Sequence, residues 1–314
     1  MEILPLPPFL KPHQSKIRVI TPSGALRETE RVQQGLAVWR ERGYQLAVPS
    51  PEELCQSWGY LAGSDQQRAA QFRAAWLDPD CDAIICTRGG YGGTRLLEQL
   101  DWRELAAACP RPKWLIGFSD ITALLWSVAQ YQQIASLHGP VLTTLAAEPD
   151  WSKDWLFDLL EGKKTHCTLE GKPLAPAIGE YQPVTGALLP ANLTLATHMI
   201  STPLCPDLEG VILAIEDVGE APYRVDRMLT HWRWTGLLKK LGGIALGRFS
   251  QAEVNTPTFS MVEVWQQRLG DLGIPVIMDL PFGHDGSNPP LVVGAKAILD
   301  PQQGKLSYDL AVSD

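Results

Sequence analysis

The sequence predicts an α/β protein built around a parallel sheet, and three observations favour this class. Short apolar or β-branched runs alternate with segments of helical periodicity through the first half of the chain, as in βαβ units. Turn residues such as Pro22-Ser23-Gly24 and Gly43 separate these segments. The chain has 314 residues, 45% of them hydrophobic and 20% charged, which is enough for one large domain or for two.

The first half contains five predicted strands separated by helices, which indicates a sheet with helices on both faces. Strands are expected at 17–21, 44–48, 83–86, 114–117 and near 135–137, and helices at 28–41, 65–76, 94–100 and from 121 onward. Ser64 or Asp65 is expected to cap the helix that ends at Trp76. In the second half, apolar runs occur at 211–215, 243–246, 276–278 and 291–297, and helical patterns at 192–199, 223–234 and 261–269.

Periodicity fails from about residue 163 to residue 183, where lysines and prolines form a polar connection. We therefore expect an N-terminal domain over residues 1–165, a linker over 166–183 and a C-terminal domain over 184–314. No internal repeat or low-complexity tract interrupts either half.

Charge and composition exclude several classes of function. The net charge is −8 and no basic run occurs, so binding to a nucleic-acid backbone is not expected. The N-terminus lacks the basic start of a signal peptide, and no apolar run of about 18 residues predicts a membrane span. The six cysteines form no C-x-x-C pair and have no metal-finger spacing, which favours a reduced, cytoplasmic protein. No metal or other cofactor is expected.

A single serine stands at the junction of a predicted strand and a predicted helix. Trp114 to Gly117 is apolar, Ser119 follows two residues later, and helical spacing begins at Ile121. This geometry exposes a nucleophilic hydroxyl above a helix N-terminus, which favours developing negative charge. Because Ile121 stands where G-x-S-x-G has its second glycine, the match is incomplete. A buried Ser119 that caps the following helix is the alternative.

A glycine-rich segment, Arg88-Gly89-Gly90-Tyr91-Gly92-Gly93, lies between a predicted strand and a predicted helix. Its backbone N–H groups could cradle a phosphate or form an oxyanion hole beside Ser119, or the segment could be a tight structural loop. It lacks the Lys-Ser/Thr ending of a P-loop. It also differs from the dinucleotide fingerprint, because Arg95 occupies the position of the last glycine.

Two acids end the predicted strand at 211–215. Glu216 and Asp217 could hold a histidine, bind a metal or cap the helix near Tyr223, and without a nearby His or Cys cluster metal is the weaker alternative. Two histidines follow predicted strands: His138, in Leu-His-Gly-Pro, and His284, in Gly-His-Asp-Gly. Spacing alone does not choose between these histidines.

In chain order these residues are Ser119, Glu216 and His284, and Ser…acid…His is one of the known orders of a catalytic triad. The chain resembles the LD-carboxypeptidase family of serine peptidases over roughly residues 16–309. The resemblance is carried by Thr-Pro-Ser-Gly at 21–24, Arg-Gly-Gly-Tyr-Gly at 88–92, Gly-Phe-Ser-Asp at 117–120, His-Gly-Pro at 138–140, Leu-Ala-Ile-Glu-Asp at 213–217 and Gly-His at 283–284.

The resemblance implies a triad with Ser119 as nucleophile, Glu216 as acid and His284 as base. It implies an N-terminal domain like that of class I glutamine amidotransferases, a distinct C-terminal domain carrying the acid and base, and a homodimer. It also implies a cytoplasmic enzyme that trims D-Ala from murein peptides for recycling. We expect the N–H groups of Gly90 and Asp120 to form the oxyanion hole.

The substrate is a small peptide with a free C-terminal carboxylate in this interpretation, and Arg88, Arg224 and Arg227 are the cations that could meet it. One departure from the family is Pro190-Ala191-Asn192, where a Gly-Gly-Asn turn is usual. Two alternatives stay open: a peptidase that cleaves peptidyl-nucleotide antibiotics of the microcin C type, and a non-catalytic two-lobed protein that binds a small ligand.

Overall fold

The computed structural model describes residues 1–174, 181–253 and 257–310. Within these residues the strands are β1 (Lys16–Ile20), β2 (Gln45–Ala47), β3 (Ala83–Cys86), β4 (Trp114–Gly117), β5 (Ser136–His138), β6 (His166–Glu170), β7 (Lys172–Pro173), β8 (Val184–Asn192), β9 (Ile212–Val218), β10 (Gly243–Ser250), β11 (Val276–Met278), β12 (Leu291–Val293), β13 (Lys296–Asp300) and β14 (Lys305–Asp309).

The helices of the described residues are α1 (Thr29–Glu41), α2 (Pro51–Leu54), α3 (Asp65–Trp76), α4 (Gly93–Leu97), α5 (Trp102–Ala108), α6 (Thr122–Gln132), α7 (Leu142–Leu145), α8 (Asp150–Leu160), α9 (Leu193–Met199), α10 (Pro222–Trp234) and α11 (Met261–Leu269). Two short 3₁₀ turns, Ser119–Ile121 and Leu237–Lys240, precede α6 and follow α10. Ser64 caps α3 in a reciprocal capping box with Gln67, in line with the cap predicted at Ser64 or Asp65.

The first sheet has the order β12-β5-β4-β3-β1-β2. Strands β1 to β5 are all parallel to their neighbours, and β12 pairs antiparallel with β5. The predicted α/β class with a parallel sheet is therefore confirmed. Because parallel strands end at the same edge, this sheet brings together the chain after Ile20, Cys86, Gly117 and His138.

The second sheet has the order β6-β14-β13-β8-β9-β10-β11-β7. Its centre, β8 to β11, is parallel, and its flanks pair antiparallel. Asn192, the last residue of β8, lies beside Glu216 of β9 in the register of the two strands. The carboxyl ends of these central strands therefore form a second edge where polar side chains meet.

The segment 166–183, expected to be a linker, contains two of these strands. Residues His166–Glu170 pair with β14, and Lys172–Pro173 pair with β11, so both stretches lie at the margins of the second sheet. A polar, proline-containing sequence suits such positions, because an edge strand has one side free of ladder bonds. Residues 175–180 of the segment lie outside the described residues. The division of the chain into two domains stays a prediction.

The apolar run at 291–297 was expected as one stretch, but the structure divides it between the two sheets. Leu291–Val293 joins the first sheet as β12, and Lys296–Asp300 joins the second as β13. Gly294, with φ +81°, makes the break. Helix α6 adds a further link, because Trp126 donates its indole N–H to the carbonyl of Pro190 at 3.1 Å. The C-terminal half of the chain therefore supplies a strand to the first sheet, and a hydrogen bond joins α6 to β8 of the second sheet.

Candidate active site

Ser119 occupies a sharp turn between β4 and α6. Its φ is +63°, a left-handed conformation that is uncommon for residues other than glycine and that recurs at functional turns. Its side chain does not cap α6, whose N-cap residue is Ile121. A Cβ added to Gly89 would lie 3.1 Å from Ser119 Oγ, so the glycine loop packs directly against the serine. The predicted strand–turn–helix setting is present, and the capping alternative is wrong.

A chain of hydrogen bonds links Ser119 to His284 and Glu216. Ser119 Oγ lies 3.2 Å from His284 Nε2, and His284 Nδ1 lies 2.6 Å from Glu216 Oε2. These distances suit a hydroxyl that gives its proton to a neutral imidazole, whose other nitrogen donates to a carboxylate. Of the two histidines left open by the sequence, His284 is the one that the fold brings to the serine.

Glu216 determines the protonation behaviour of His284. The carboxylate is fully buried, while the imidazole keeps about a fifth of its side chain exposed, 19%. Burial by itself lowers the pKa of His284, but the hydrogen bond and charge of Glu216 outweigh it, so the pKa lies above its ordinary value. The Glu216 carboxylate also accepts the backbone N–H of His284 at 3.3 Å, which fixes the ring relative to its own main chain.

Asn192 orients both acids at the end of β9. Its side-chain amide donates to Glu216 Oε1 at 3.3 Å and to Asp217 Oδ1 at 2.9 Å. Its side-chain oxygen accepts the N–H of Leu195 and so caps α9, and its own N–H donates to Thr122 Oγ1 on α6. Pro190-Ala191-Asn192 is the end of β8, and its asparagine connects the acid-bearing strand β9 to the helix α6 that follows Ser119.

Asp217 has a different role from its neighbour. Its carboxylate accepts the N–H and hydroxyl of Thr194 at 2.9 and 2.8 Å, as well as the Asn192 amide. Burial raises the pKa of Asp217, and the hydrogen bonds from Thr194 oppose the rise. Only Glu216 of the acid pair makes a hydrogen bond to the imidazole.

The glycine loop and the serine turn are joined by the side chain of Asp120. Asp120 Oδ2 accepts the N–H of Gly93 at 2.7 Å, and burial raises the pKa of this carboxyl. Gly90 has φ +108°, a backbone conformation that favours glycine, and it follows Gly89, which packs against Ser119. Neither the Gly90 N–H nor the Asp120 N–H donates to an acceptor within the residues described, so both could meet a ligand oxygen.

Arg88 lies beside this loop. Its Nη1 donates to the carbonyl of Ala25 at 2.9 Å, and its Nη2 would lie 3.7 Å from a Cβ on Gly90. Among the carboxylates of the described residues it has no ion-pair partner. By contrast, Arg224 pairs with Glu220 at 3.7 Å, and Arg227 lies over the ring of Tyr223.

His138 is completely buried at the end of β5. Burial, with a smaller contribution from the charge of His284, lowers the pKa of His138 to about 3. Neither ring nitrogen bonds to another residue in the described ranges. The rings of His138 and His284 contact the ring of Phe118, at centroid distances of 5.9 and 4.7 Å.

Sequence reasoning missed the residues that hold the loop of His284. Asn288 Oδ1 accepts the N–H of Gly283 at 2.9 Å, and Glu148 accepts the N–H of Asn288 at 2.8 Å. Arg248 donates to carbonyl groups of the same loop. These residues come from three distant segments with no shared spacing, and an alternation of strands and helices carries no signal for such contacts.

Residues that could hold a metal are not assembled in the part of the chain described here: no group of three or more His, Cys, Asp or Glu side chains meets there. None of the helices in those same ranges is long and apolar enough to span a membrane. The carboxylate oxygens of Glu216 and Asp217 instead accept hydrogen bonds from Asn192, Thr194 and His284.

Comparison with known proteins decides the family. The model of the LD-carboxypeptidase N-terminal domain matches residues 17–139, and that of the LD-carboxypeptidase C-terminal domain matches residues 185–299. The chain belongs to the LD-carboxypeptidase family. This membership supports a peptidase activity, and the expected family resemblance is confirmed.

Individual relatives cover most of the chain. A Synechocystis sp. protein provisionally named a carboxypeptidase is 49% identical over 98% of this chain and 97% of its own length. The murein tetrapeptide carboxypeptidase of Pseudomonas aeruginosa is 35% identical over 77% of this chain and 80% of its own length. This LD-carboxypeptidase family member is therefore similar to proteins named for cleavage of murein peptides and to others with no named substrate.

Solved structures share the fold. The muramoyltetrapeptide carboxypeptidase of Oxalobacter formigenes superposes with a TM-score of 0.80 at 30% identity, covering 94% of this chain and 98% of that one. The microcin C7 self-immunity protein MccF superposes with a TM-score of 0.84 at 22% identity, covering 98% of both chains. At that identity the likeness to MccF concerns the fold alone.

Proposed function

We propose that this member of the LD-carboxypeptidase family is a serine carboxypeptidase that releases a C-terminal D-alanine from murein tetrapeptide and needs no cofactor. The observation that carries the proposal is the hydrogen-bonded chain from Ser119 through His284 to the buried Glu216. The similarity to murein tetrapeptide carboxypeptidases supports the choice of substrate.

His284 acts as the general base in the proposed reaction. Its Nε2 takes the proton of Ser119 as the hydroxyl oxygen attacks the carbonyl carbon of the peptide bond. Glu216 accepts the Nδ1–H, which holds the tautomer with a free Nε2 and stabilises the imidazolium that forms. The raised pKa of His284 suits the later step, because an imidazolium of higher pKa is retained until the leaving amine needs a proton.

Gly90 and Asp120 form the oxyanion hole in this proposal. Their N–H groups lack other acceptors among the described residues, the glycine loop packs against Ser119 at Gly89, and the Asp120 side chain fixes that loop through Gly93. The negative oxygen of the tetrahedral intermediate accepts these two bonds. When the intermediate collapses, the peptide C–N bond breaks, D-alanine leaves with a proton from His284, and water then hydrolyses the acyl-serine by the same route.

Arg88 is proposed to bind the free carboxylate of the substrate. A carboxylate buried without a partner is costly, and a guanidinium offers it paired donors. Arg88 is preferred to Arg224 and Arg227 for two reasons. It adjoins the glycine loop, and its charge is not paired with a carboxylate of the described residues, whereas the other two contact Glu220 or Tyr223.

The test is incubation with L-Ala-γ-D-Glu-diaminopimelate-D-Ala, read by mass spectrometry. We expect loss of one D-alanine and accumulation of the tripeptide, with the Ser119→Ala protein as the blank. Versions that end in L-alanine or in a C-terminal amide should be poor substrates. Equal cleavage of the L-Ala and D-Ala versions would refute the LD assignment even if Ser119 proved to be the nucleophile.

Two further outcomes would replace the proposal. Cleavage of a peptidyl-nucleotide antibiotic of the microcin C type, with the tetrapeptide left intact, would assign the enzyme to immunity rather than to murein recycling. Failure of a fluorophosphonate to label Ser119 would favour a two-lobed binding protein. A homodimer, a cytoplasmic location and an N-terminal domain of the class I glutamine amidotransferase kind belong to the proposal and stay predictions.

A further inference from the structure

The loop that carries His284 has an unusual backbone. It runs from Met278, at the end of β11, to Leu291, at the start of β12. Within it Gly283, Asp285 and Gly286 have φ values of +109°, +56° and +151°. A Cβ on Gly283 would lie 2.8 Å from Glu216 Cβ, so that position admits only glycine. Such a conformation persists only where surrounding contacts fix it.

Arg248, on β10, supplies several of those contacts. Its Nε donates to the carbonyl of His284 itself at 3.0 Å, and its Nη2 donates to the carbonyls of Gly283, at 3.1 Å, and of Ser287. Its backbone N–H also donates to the carbonyl of Phe282 at 2.9 Å. One side chain thus binds carbonyl groups on both sides of the imidazole-bearing residue.

The hydrogen bonds of the Arg248 guanidinium go to carbonyl groups of this loop. It forms no ion pair with a carboxylate of the described residues, although Glu148, Glu216 and Asp285 lie near enough to favour its charge. A Cβ on Gly286 would lie 3.0 Å from the guanidinium carbon, so the loop closes around the group. A planar cation with five donors can satisfy three separate carbonyls, which a lysine ammonium at one point cannot do equally well.

We infer that Arg248 is a positioning residue that sets the imidazole of His284 between Ser119 and Glu216 by holding the carbonyls of Gly283, His284 and Ser287. The inference deepens the proposed function and depends on it for its activity readout. Because a displacement of about 1 Å can cost about 10²-fold in rate, loss of these bonds should lower the rate of attack by Ser119 by about that factor.

The experiment compares Arg248→Ala and Arg248→Lys with a matched control, Arg233→Ala. Arg233 is also partly exposed and also donates to a backbone carbonyl, that of Arg268, but it pairs with Asp271 away from the His284 loop. The first readout is the rate at which a fluorophosphonate labels Ser119. We expect about a 10²-fold loss for Arg248→Ala, a smaller loss for Arg248→Lys and little change for the control.

Two measurements separate positioning from a general loss of stability. Millimolar guanidinium should restore part of the labelling rate of Arg248→Ala and leave Arg233→Ala unchanged. The low-field proton NMR signal of the His284–Glu216 hydrogen bond should shift or vanish in Arg248→Ala and return with guanidinium. Kinetics should show the loss in kcat rather than in KM, because Arg248 acts through the histidine.

The outcomes are distinct. Labelling of Arg248→Ala at the wild-type rate, or an unchanged His284 NMR signal, would overturn the inference. If Arg248→Ala does not fold, Arg248→Lys decides by the same two readouts. If the wild-type protein itself is not labelled, the proposed function fails, and the NMR signal alone then decides whether Arg248 positions His284.

Discussion

His138 and His284 invite comparison because His138 ends strand β5, His284 follows strand β11, and both rings contact Phe118. His138 is fully buried without a hydrogen-bond partner elsewhere in the described ranges, and burial lowers its pKa to about 3. His284 is mostly buried, but Glu216 raises its pKa above the ordinary value despite that burial. The two environments shift the same side chain in opposite directions.

The difference teaches that a carboxylate, rather than the place of the residue on the strand, makes a histidine useful as a base. An imidazole whose pKa is lowered to about 3 stays neutral, with one ring proton, near neutral pH, and its buried surroundings do not stabilise the imidazolium that a second proton would form. An imidazole that donates to Glu216 can accept a proton at Nε2 and keep it while the substrate reacts. The predictions below test this contrast in order of expected effect.

The largest effect should come from removing the nucleophile or the base. Ser119→Ala and His284→Ala should each lower kcat by roughly 10⁴ to 10⁶, because the members of a triad act as one unit. The measurement is tetrapeptide hydrolysis by purified variants whose circular dichroism matches the wild type. If Ser119→Ala kept more than about a tenth of the activity, Ser119 would not be the nucleophile.

Glu216→Gln should have the next largest effect, a loss of roughly 10² to 10⁴ in kcat, because the amide no longer stabilises the imidazolium. The pH profile should also change. Activity requires neutral His284, so kcat/KM rises with pH through a pKa above the ordinary value of about 6.5. Without the charge of Glu216 that pKa falls, and the acid limb moves to lower pH.

Asp217→Asn is the matched control for this change. Its charge also raises the pKa of His284, but it makes no hydrogen bond to the ring, so the acid limb should move less in the same direction. An acid limb that stays in place in Glu216→Gln would show that another group controls the protonation of His284.

A smaller effect on activity is expected from His138→Leu, less than about tenfold, because the ring touches Phe118 and not the serine. Its clearer consequence concerns stability. The pKa of His138 is depressed in the folded protein, so protonation favours the unfolded chain as pH falls from about 6.5 toward 3.

His138→Leu should therefore reduce the loss of stability across that acidic range, by at most a few kcal/mol. The check is the melting temperature of both proteins between pH 7 and pH 4. A variant whose melting temperature falls with acid as steeply as that of the wild type would show that His138 is not the group responsible. A variant as inactive as His284→Ala would move the base to His138.

The sequence could predict those features that depend on local pattern. The strand before Ser119, the helix after it and the acids at the end of β9 follow from apolar periodicity and turn residues, and the structure places them as expected. Ser119 follows a strand of the first sheet and Glu216 lies on a strand of the second, so their joint role was predicted from chain order and the family resemblance.

Contacts between residues far apart in the chain could not be predicted in this way. The choice of His284 over His138 rests on Glu216, which lies 68 residues away from it in the chain. The division of the run 291–297 between two sheets depends on one glycine with positive φ, and an apolar run does not show which sheet it will join. The sequence does not indicate the role of Arg248, because its partners are backbone carbonyls, which every residue has.

The smallest expected effect is that of a chelator. Dialysis against EDTA should leave hydrolysis of the tetrapeptide unchanged, because the acid pair at the end of β9 is engaged by protein donors. Glu216 accepts from His284 and Asn192, and Asp217 accepts from Asn192 and Thr194, so a metal would have to displace these bonds and disturb the orientation of the imidazole. Added zinc should not stimulate the untreated enzyme for the same reason. Activity that disappeared with EDTA and returned with zinc would contradict this, and it would mean that the acid pair serves a metal instead of His284.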